Sequence, residues 1–165
     1  MYKTELKEKI SVLAKLLQLN NLKLATAESC TGGLLSKLVT DLSGSSSWFS
    51  RGLVTYSNLS KQEILGVNLE TLEKYGAVSQ QTVEAMVDGL FASDEVSIGV
   101  SISGIAGPDG GTTEKPIGTV WIAWRLQSGA ATSQCFLFAG NRDQVRQQAA
   151  LEAIKGLISL LKADQ

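Results

Sequence analysis

The sequence predicts an α/β protein, a three-layer α/β/α sandwich on a mixed, mostly parallel five-stranded sheet. Apolar residues at helical spacing alternate along the chain with short β-rich runs, which is typical of helices covering a sheet. One run, EVSIGVSIS at 95–103, is almost continuously apolar, as expected of a central strand covered on both faces. Because 165 residues without repeats or a linker suffice for one sizeable core, residues 1–165 are predicted to form a single domain.

The first half of the chain supplies two predicted helices and two predicted strands. Leucine and isoleucine at helical spacing predict a helix over 4–19, and the alternating segment LKLATAE predicts a strand over 22–28. Helical spacing returns over 32–42, beginning at a glycine pair. Aromatic and β-branched residues in SWFSRGLVTYS then predict a second strand within 47–57.

The second half supplies the other three strands and the helices needed for both faces. The predicted elements are two short helices at 59–65 and 69–75, a longer helix capped by Ser79, the central strand at 95–103, a hairpin of strands at 119–126 and 131–139, and a last helix from Asn141 or Asp143 to about Leu161. Binding sites in such folds lie beyond the carboxyl ends of the strands, so the polar and glycine-rich strand ends are expected to share a pocket.

Charge and composition exclude several classes of function. The 15 basic and 16 acidic residues contain no run of like charge, so neither nucleic acid nor an anionic membrane is expected as a partner. The charged N-terminus is unlike a signal peptide, and no run of about 18 apolar residues is present. Cys30 and Cys135 form no CxxC pair or disulfide framework. We therefore expect a cytoplasmic protein with reduced thiols.

The chain has no histidine, which removes whole reaction classes. Neither a Ser-His-Asp nor a Cys-His arrangement can be built, nor a histidine-containing zinc site, and two distant cysteines do not make a thiolate metal centre. No metal or cofactor is therefore expected. Lysines and carboxylates are the remaining bases, and a lysine can deprotonate a serine when burial or a neighbouring cation lowers its pKa.

The segment TAESCTGG offers two candidate nucleophiles at a strand-to-helix junction. Ser29 is favoured, because the amides that follow it at Cys30, Thr31, Gly32 and Gly33 are placed to bind substrate and an oxyanion. The alternative is that the Ser29 hydroxyl merely caps the helix. Cys30 lies on the opposite side of the strand from Ser29 and is expected to pack inward as a small apolar residue.

Lys61 is the candidate base, because TYSNLSK ends a strand at the expected pocket and begins a short helix. Tyr56 could relay a proton or orient the lysine. The alternative is that Lys61 is an ordinary solvated helix residue. Lys37 is a weaker candidate, since it lies too far along its helix to reach chemistry at the helix mouth.

Two further features could bind the rest of a substrate. The loop SGIAGPDGG lacks the pattern of a phosphate loop or a dinucleotide fingerprint, and it could be no more than a turn-rich connection. Arg142, at the start of the last helix, would place a cation beside free amides, where a phosphate or carboxylate could bind. The alternative for Arg142 is a surface ion pair with Asp143 or a neighbouring residue.

Several blocks of the sequence carry a resemblance to a known family. They are TAESCTGG, SSSWFSRGLVTYSNLSK, YGAVS, SISGIAGPDGG with EKPIGTVW, and GNRDQVRQQA. Over about residues 4–160 the chain resembles the C-terminal domain family of the competence/damage-inducible protein CinA, whose stand-alone members are nicotinamide mononucleotide amidohydrolases. The resemblance implies an α/β/α domain, hydrolysis of that nucleotide to nicotinic acid mononucleotide and ammonia in NAD recycling, and a homo-oligomer.

The resemblance also implies roles for particular residues. The family's serine and lysine fall on Ser29 and Lys61, and its pocket motifs fall on Tyr56, Asn58, Arg142 and the loop that contains Gly104, Ile105, Ala106 and Gly107. The N-terminal domain of longer relatives is absent from the sequence, so any pyrophosphatase-type activity of that domain is not expected.

Two other functions stay open at this stage. A catalytically silent nucleotide-binding domain could use the same glycine loops and Arg142 for a phosphate, with Ser29 only capping a helix. A purely structural interaction domain would bind no nucleotide saturably. Turnover separates the enzyme from both.

Overall fold

The structure, a computed structural model, describes residues 2–165 and consists of six helices around a five-stranded sheet. The helices are α1 (Tyr2–Leu19), α2 (Leu34–Thr40), α3 (Asn58–Leu65), α4 (Leu69–Tyr75), α5 (Gln80–Gly89) and α6 (Arg142–Ala163), and the strands are β1 (Leu24–Glu28), β2 (Phe49–Val54), β3 (Ile98–Gly104), β4 (Thr119–Leu126) and β5 (Thr132–Leu137). None of the helices in residues 2–165 is long and apolar enough to cross a membrane.

The sheet is mixed, with the strand order β2-β1-β3-β4-β5. β1 is parallel to both β2 and β3, whereas β4 is antiparallel to β3 and to β5. Four strands therefore run in one direction and only β4 runs in the other, which confirms the predicted sheet. The carboxyl ends of β1, β2, β3 and β5 consequently meet at one edge, where β4 begins.

Two apolar cores, one on each face of the sheet, make the three layers. α1, α2 and α6 cover the face that carries large side chains such as Leu24, Ile102 and Ile122. The other face is covered by α3, α4 and α5 and carries small residues, among them Ala25 and Ala27. Small side chains allow a helix to approach a sheet closely, and α5 packs directly on this face.

The predicted helix boundaries are accurate where side chains cap the helix. Ser79 caps α5, its hydroxyl accepting a hydrogen bond from the Thr82 amide. Asn141, rather than Asp143, caps α6, and Gln144 completes a capping box with it. Local hydrogen bonds of this kind depend only on neighbouring residues, so the sequence reveals them.

The predicted start of α2 is wrong by two residues. The helix begins at Leu34 rather than Gly32, because Gly32 and Gly33 have φ angles of +58° and +100°. Such angles lie outside the right-handed helical region and are readily adopted only by glycine. The two glycines thus extend the turn between β1 and α2, and that turn carries the candidate nucleophile.

Gly156→Ala provides a test of how closely α6 packs against the sheet. A Cβ atom at position 156 would collide with the ring of Trp124, whose indole nitrogen donates to the Ala153 carbonyl at 2.9 Å. We expect the free energy of unfolding in urea to fall by about 1–3 kcal/mol, although alanine is the better helix former by ~1 kcal/mol. Gly129→Ala is the control, because its Cβ would meet only the Leu126 carbonyl at 3.8 Å. A stabilised Gly156→Ala protein would contradict this packing.

Candidate active site

A cavity of about 270 Å³ lies at the edge of the sheet where the parallel strands end. Five separate parts of the chain meet there: the end of β1, the β2–α3 connection with the start of α3, the α4–α5 connection, the loop after β3 and the start of α6. Of the predicted site residues, its wall contains Ser29, Cys30, Tyr56, Lys61, Arg142 and the loop Gly104–Gly107. The expectation of one shared pocket at the strand ends is therefore confirmed.

Two grooves elsewhere are larger but lack comparable chemistry. One, of about 420 Å³, lies between α6 and the β4–β5 hairpin, and its lysine, Lys155, forms ion pairs with Glu5 and Glu152. The other, of about 570 Å³, lies between α1, α2 and α6, where Lys37 is paired with Asp41. Neither groove brings an unpaired amine to a serine hydroxyl, so the smaller cavity is the candidate site.

Lys61 and Ser29 form the centre of the site. The Lys61 side chain is 0% exposed, and its Nζ donates to Ser29 Oγ at 3.1 Å. The same nitrogen donates to the carbonyls of Thr55 at 2.8 Å and Tyr56 at 3.1 Å. The alternative of a solvated helix residue is therefore wrong, because α3 starts at the pocket and directs Lys61 inward.

Burial lowers the pKa of Lys61 from 10.5 to about 8. The cause is desolvation, which disfavours the charged ammonium. Within residues 2–165 no carboxylate forms a salt bridge with Lys61, so its polar neighbours are a hydroxyl and two carbonyl groups. A larger fraction of the amine is thus neutral near pH 7 than for an exposed lysine, and this neutral form can accept a proton.

Ser29 does not cap α2, so that alternative is wrong. The N-cap position is occupied by Gly33, four residues further on, and no side-chain cap bond comes from it. Ser29 instead extends the β1–β3 pairing, its amide donating to the Ile102 carbonyl at 3.0 Å. The hydroxyl accepts a hydrogen bond from Lys61 Nζ at the cavity wall and donates one to the Tyr56 carbonyl at 3.4 Å.

Glu28 performs the capping, a role that the sequence reading missed. Its fully buried carboxylate accepts hydrogen bonds from the Leu35 amide at 2.8 Å, the Ser36 amide at 3.0 Å and the Ser36 hydroxyl at 2.8 Å. A carboxylate at a helix N-terminus satisfies amides that lack intrahelical partners. A charged residue at the end of an otherwise buried strand was the signal that could have revealed it.

The amides of the turn between Ser29 and α2 are expected to line the binding pocket, and only part of the turn does so. Cys30 lines the cavity, whereas Thr31, Gly32 and Gly33 do not. The Gly32 amide is already used, because it donates to the Ser29 carbonyl at 3.0 Å. Of the four predicted donors, Cys30 is therefore the one whose position borders the cavity.

Cys30 packs inward as predicted, at 6% exposure and within the core under α2 and α6. Burial raises the pKa of its thiol to about 11, with the Arg146 guanidinium opposing part of that rise. A thiol with such a pKa stays protonated at neutral pH and is a poor nucleophile. The geometry and the protonation state both favour Ser29 over Cys30.

Tyr56 and Arg142 contact each other at the mouth of the cavity. The Tyr56 ring is mostly exposed, and its hydroxyl accepts a hydrogen bond from Arg142 Nη2 at 3.2 Å. Arg142 Nη1 donates to the Gly107 carbonyl at 2.7 Å and so connects α6 to the glycine loop. Within residues 2–165 Arg142 forms no salt bridge, so the alternative of an ion pair with Asp143 is wrong.

The backbone carbonyl and the phenol of Tyr56 have different partners. Its backbone carbonyl holds Lys61, while its phenol faces Arg142 and makes no hydrogen bond to Ser29 or Lys61 within residues 2–165. Asn58, the first residue of α3, is exposed and does not line the cavity. Sequence reasoning missed the Ala77–Val78 pair, which does line it, whereas Asp109 lines it as part of the expected loop SGIAGPDGG.

The buried Lys61 should make stability depend on pH in a defined window. Since its pKa is about 8 in the folded protein and 10.5 in the reference state, the unfolded chain binds more protons between these values. Relative to Lys61→Met, the free energy of unfolding should rise by about 3 kcal/mol from pH 8 to 10.5 and be constant below pH 8. Urea unfolding of both proteins across this range measures the difference, and a flat difference would contradict the lowered pKa.

The sequence is similar to a known protein family and to individual bacterial enzymes. A family model described as the CinA C-terminal domain matches residues 6–161. The chain is 45% identical over 157 residues to nicotinamide-nucleotide amidohydrolase PncC of Escherichia coli (strain K12), with 95% of each chain covered. It is 52% identical over 129 residues to a protein of the same name from Enterobacter agglomerans, covering 78% of this chain and 79% of the relative.

The fold is likewise similar to a solved structure. The crystal structure of competence/damage inducible protein CihA from Agrobacterium tumefaciens superposes with a TM-score of 0.92 at 37% sequence identity. The superposition covers 94% of this chain and 95% of that chain. The residues matched by the family model, 6–161, contain the strand ends, the glycine loop and the start of α6 that form the cavity.

Proposed function

Because the chain belongs to the CinA C-terminal domain family, we propose that it hydrolyses the carboxamide of nicotinamide mononucleotide to nicotinic acid mononucleotide and ammonia. This reaction recycles pyridine nucleotides toward NAD. The observation that carries the proposal is the 3.1 Å hydrogen bond between Lys61 Nζ and Ser29 Oγ at the cavity wall. The relatives named nicotinamide-nucleotide amidohydrolase support the choice of substrate.

The proposed reaction proceeds through an ester on Ser29. Neutral Lys61 accepts the hydroxyl proton as Ser29 Oγ bonds to the carboxamide carbon, and the carbonyl electrons move onto oxygen. When the intermediate collapses, the carbon–nitrogen bond breaks and Lys61 returns the proton to the departing ammonia. A water molecule, deprotonated by Lys61, then attacks the ester carbon; as the bond between that carbon and Ser29 Oγ breaks, Lys61 returns the proton to Ser29 Oγ and nicotinic acid mononucleotide is released. No metal ion or organic cofactor takes part.

The remainder of the cavity is proposed to bind the nucleotide. Arg142 lies at the N-terminus of α6, where a cation and the helix dipole both favour a phosphate. Its contacts with Tyr56 and Gly107 hold the guanidinium at the cavity mouth. Tyr56 thereby serves substrate binding through its phenol and lysine orientation through its carbonyl. The loop Gly104–Gly107 lets the backbone approach the substrate closely.

The cellular setting follows from the same proposal. The substrate is a small nucleotide of the cytoplasm, where we place the enzyme. Residues 1–165 are proposed to act as one amidohydrolase domain, in a homo-oligomer as the family resemblance implies. Nucleic acids and membranes are not proposed as partners, in keeping with the balanced charge of the chain.

Ammonia release from nicotinamide mononucleotide tests the proposed function. The unaltered protein should release ammonia at equal rates with and without EDTA. Ser29→Ala should lose at least about 10³-fold in kcat while it still binds substrate, and Cys30→Ala should lose no more than ~10-fold because it changes only packing. Both variants must be shown to be folded by circular dichroism.

Other outcomes of that assay would point elsewhere. Saturable nucleotide binding without ammonia would support the silent nucleotide-binding domain. Activity that EDTA removes and zinc or magnesium restores would contradict a reaction free of metal ions. Greater loss in Cys30→Ala than in Ser29→Ala would reverse the assignment of the nucleophile.

The pH dependence of the rate tests the role of Lys61. Since the base acts as a neutral amine, kcat/KM should rise with pH through one ionisation near 8, the pKa of the buried lysine. Lys61→Arg should be nearly as inactive as Lys61→Ala, because a guanidinium keeps its charge but cannot give up its proton. Substantial activity in Lys61→Arg would instead make Lys61 a fixed charge and require another base.

A further inference from the structure

Arg146 is a half-buried cation that the proposed reaction does not use. It lies one turn beyond Arg142 on α6, and its Nη2 donates to the Thr31 carbonyl at 2.8 Å. Its Nε is buried and has no hydrogen-bond partner within residues 2–165, where no carboxylate forms a salt bridge with it either. Leaving a buried guanidinium nitrogen without a partner costs free energy. We therefore expect the contact between Arg146 and the Thr31 carbonyl to have a function.

The Thr31 carbonyl is the first member of a short chain of hydrogen-bonded peptide groups. It shares a peptide group with the Gly32 amide, which donates to the Ser29 carbonyl at 3.0 Å. The Ser29 carbonyl in turn shares a peptide group with the Cys30 amide. The charge of Arg146 is therefore connected, through two peptide groups, to the amide that directly follows the nucleophile.

The position of the Cys30 amide is the one at which acyl-transfer enzymes bind an oxyanion. The amide after a nucleophilic serine at a strand-to-helix turn is a common oxyanion donor. Cys30 lines the cavity beside Ser29, and its amide makes no hydrogen bond to another residue within the described chain. Hydrogen bonds in a chain polarise one another, and a charged donor at one end strengthens the donor at the other.

We propose that Arg146 is a positioning residue that fixes and polarises the Ser29–Gly32 turn, so that the Cys30 amide binds the oxyanion formed during attack by Ser29. This inference rests on the proposed amidohydrolase function. Gly32 is part of the same arrangement, because a Cβ atom there would lie 3.4 Å from Arg146 Nη2 at a φ of +58°. Since 3.4 Å is an ordinary van der Waals distance, it is the positive φ that favours glycine at the turn.

Arg146→Met and Arg146→Lys test the inference through kcat and KM for ammonia release from nicotinamide mononucleotide. An oxyanion forms only after attack, so Arg146→Met should lower kcat about 10- to 100-fold and leave KM within about threefold. Arg146→Lys retains a charged donor and should lose only about 3- to 10-fold. The midpoint of the pH–rate profile should stay near that of the unaltered protein, since Arg146 makes no hydrogen bond with Lys61 or with the carbonyls that hold it.

Two matched variants separate this role from other effects of losing an arginine. Arg51→Met removes an exposed arginine paired with Glu95 on the edge strand β2 and should leave both constants unchanged. Arg142→Met should chiefly raise KM, as expected of a phosphate ligand. All rates are compared below the unfolding temperature of each variant. If Arg146→Met does not fold, the change in kcat and KM of Arg146→Lys tests the positioning role instead.

Each remaining outcome overturns a specific statement. Unchanged kcat in a folded Arg146 variant, or a raised KM at constant kcat, would overturn the positioning role while leaving the amidohydrolase intact. A shifted pH midpoint would mean that Arg146 acts on the base and would also overturn the inference. Absence of ammonia from the unaltered protein would refute the proposed function itself, and the inference with it.

Discussion

The side chain of Lys61 is buried, and the rest of the site depends on that burial. The protein holds the nitrogen with the Thr55 and Tyr56 carbonyls and the Ser29 hydroxyl, and offers it no carboxylate. A carboxylate would have stabilised the ammonium and raised the pKa, whereas carbonyl groups satisfy the N–H donors without a full countercharge. In a chain without histidine, desolvation thus supplies a base whose pKa is close to neutral.

This arrangement requires several polar groups to be buried at one edge of the sheet, and each is compensated differently. The carboxylate of Glu28 accepts hydrogen bonds from amides in the first turn of α2, so the helix terminus compensates its burial without a cation. Arg146 donates to a backbone carbonyl, and Lys61 becomes partly neutral. The carboxylate, the guanidinium and the amine therefore surround the Ser29 turn without forming ion pairs with one another.

Much of the fold could be predicted because it depends on local patterns. The period of the apolar residues located the helices and strands, and Ser79 and Asn141 marked helix starts through side-chain bonds to neighbouring amides. The start of α2 was missed, since the period continues through Gly32 and Gly33 while their backbone does not. Asn58 was assigned to the pocket, yet α3 directs Lys61 inward and leaves Asn58 exposed.

The sequence by itself determined the available chemistry: no histidine, a serine before a glycine pair, and a lysine at the end of a strand. Only the tertiary structure decided that Ser29 and Lys61 touch, that Lys61 is buried, and that Glu28 and Arg146 support the turn between β1 and α2. Ser29 and Lys61 are 32 residues apart in the sequence, and Arg146 and Thr31 are more than a hundred apart. Their contacts arise from the packing of distant segments. Local sequence patterns do not predict contacts of this kind, because they reflect only neighbouring residues.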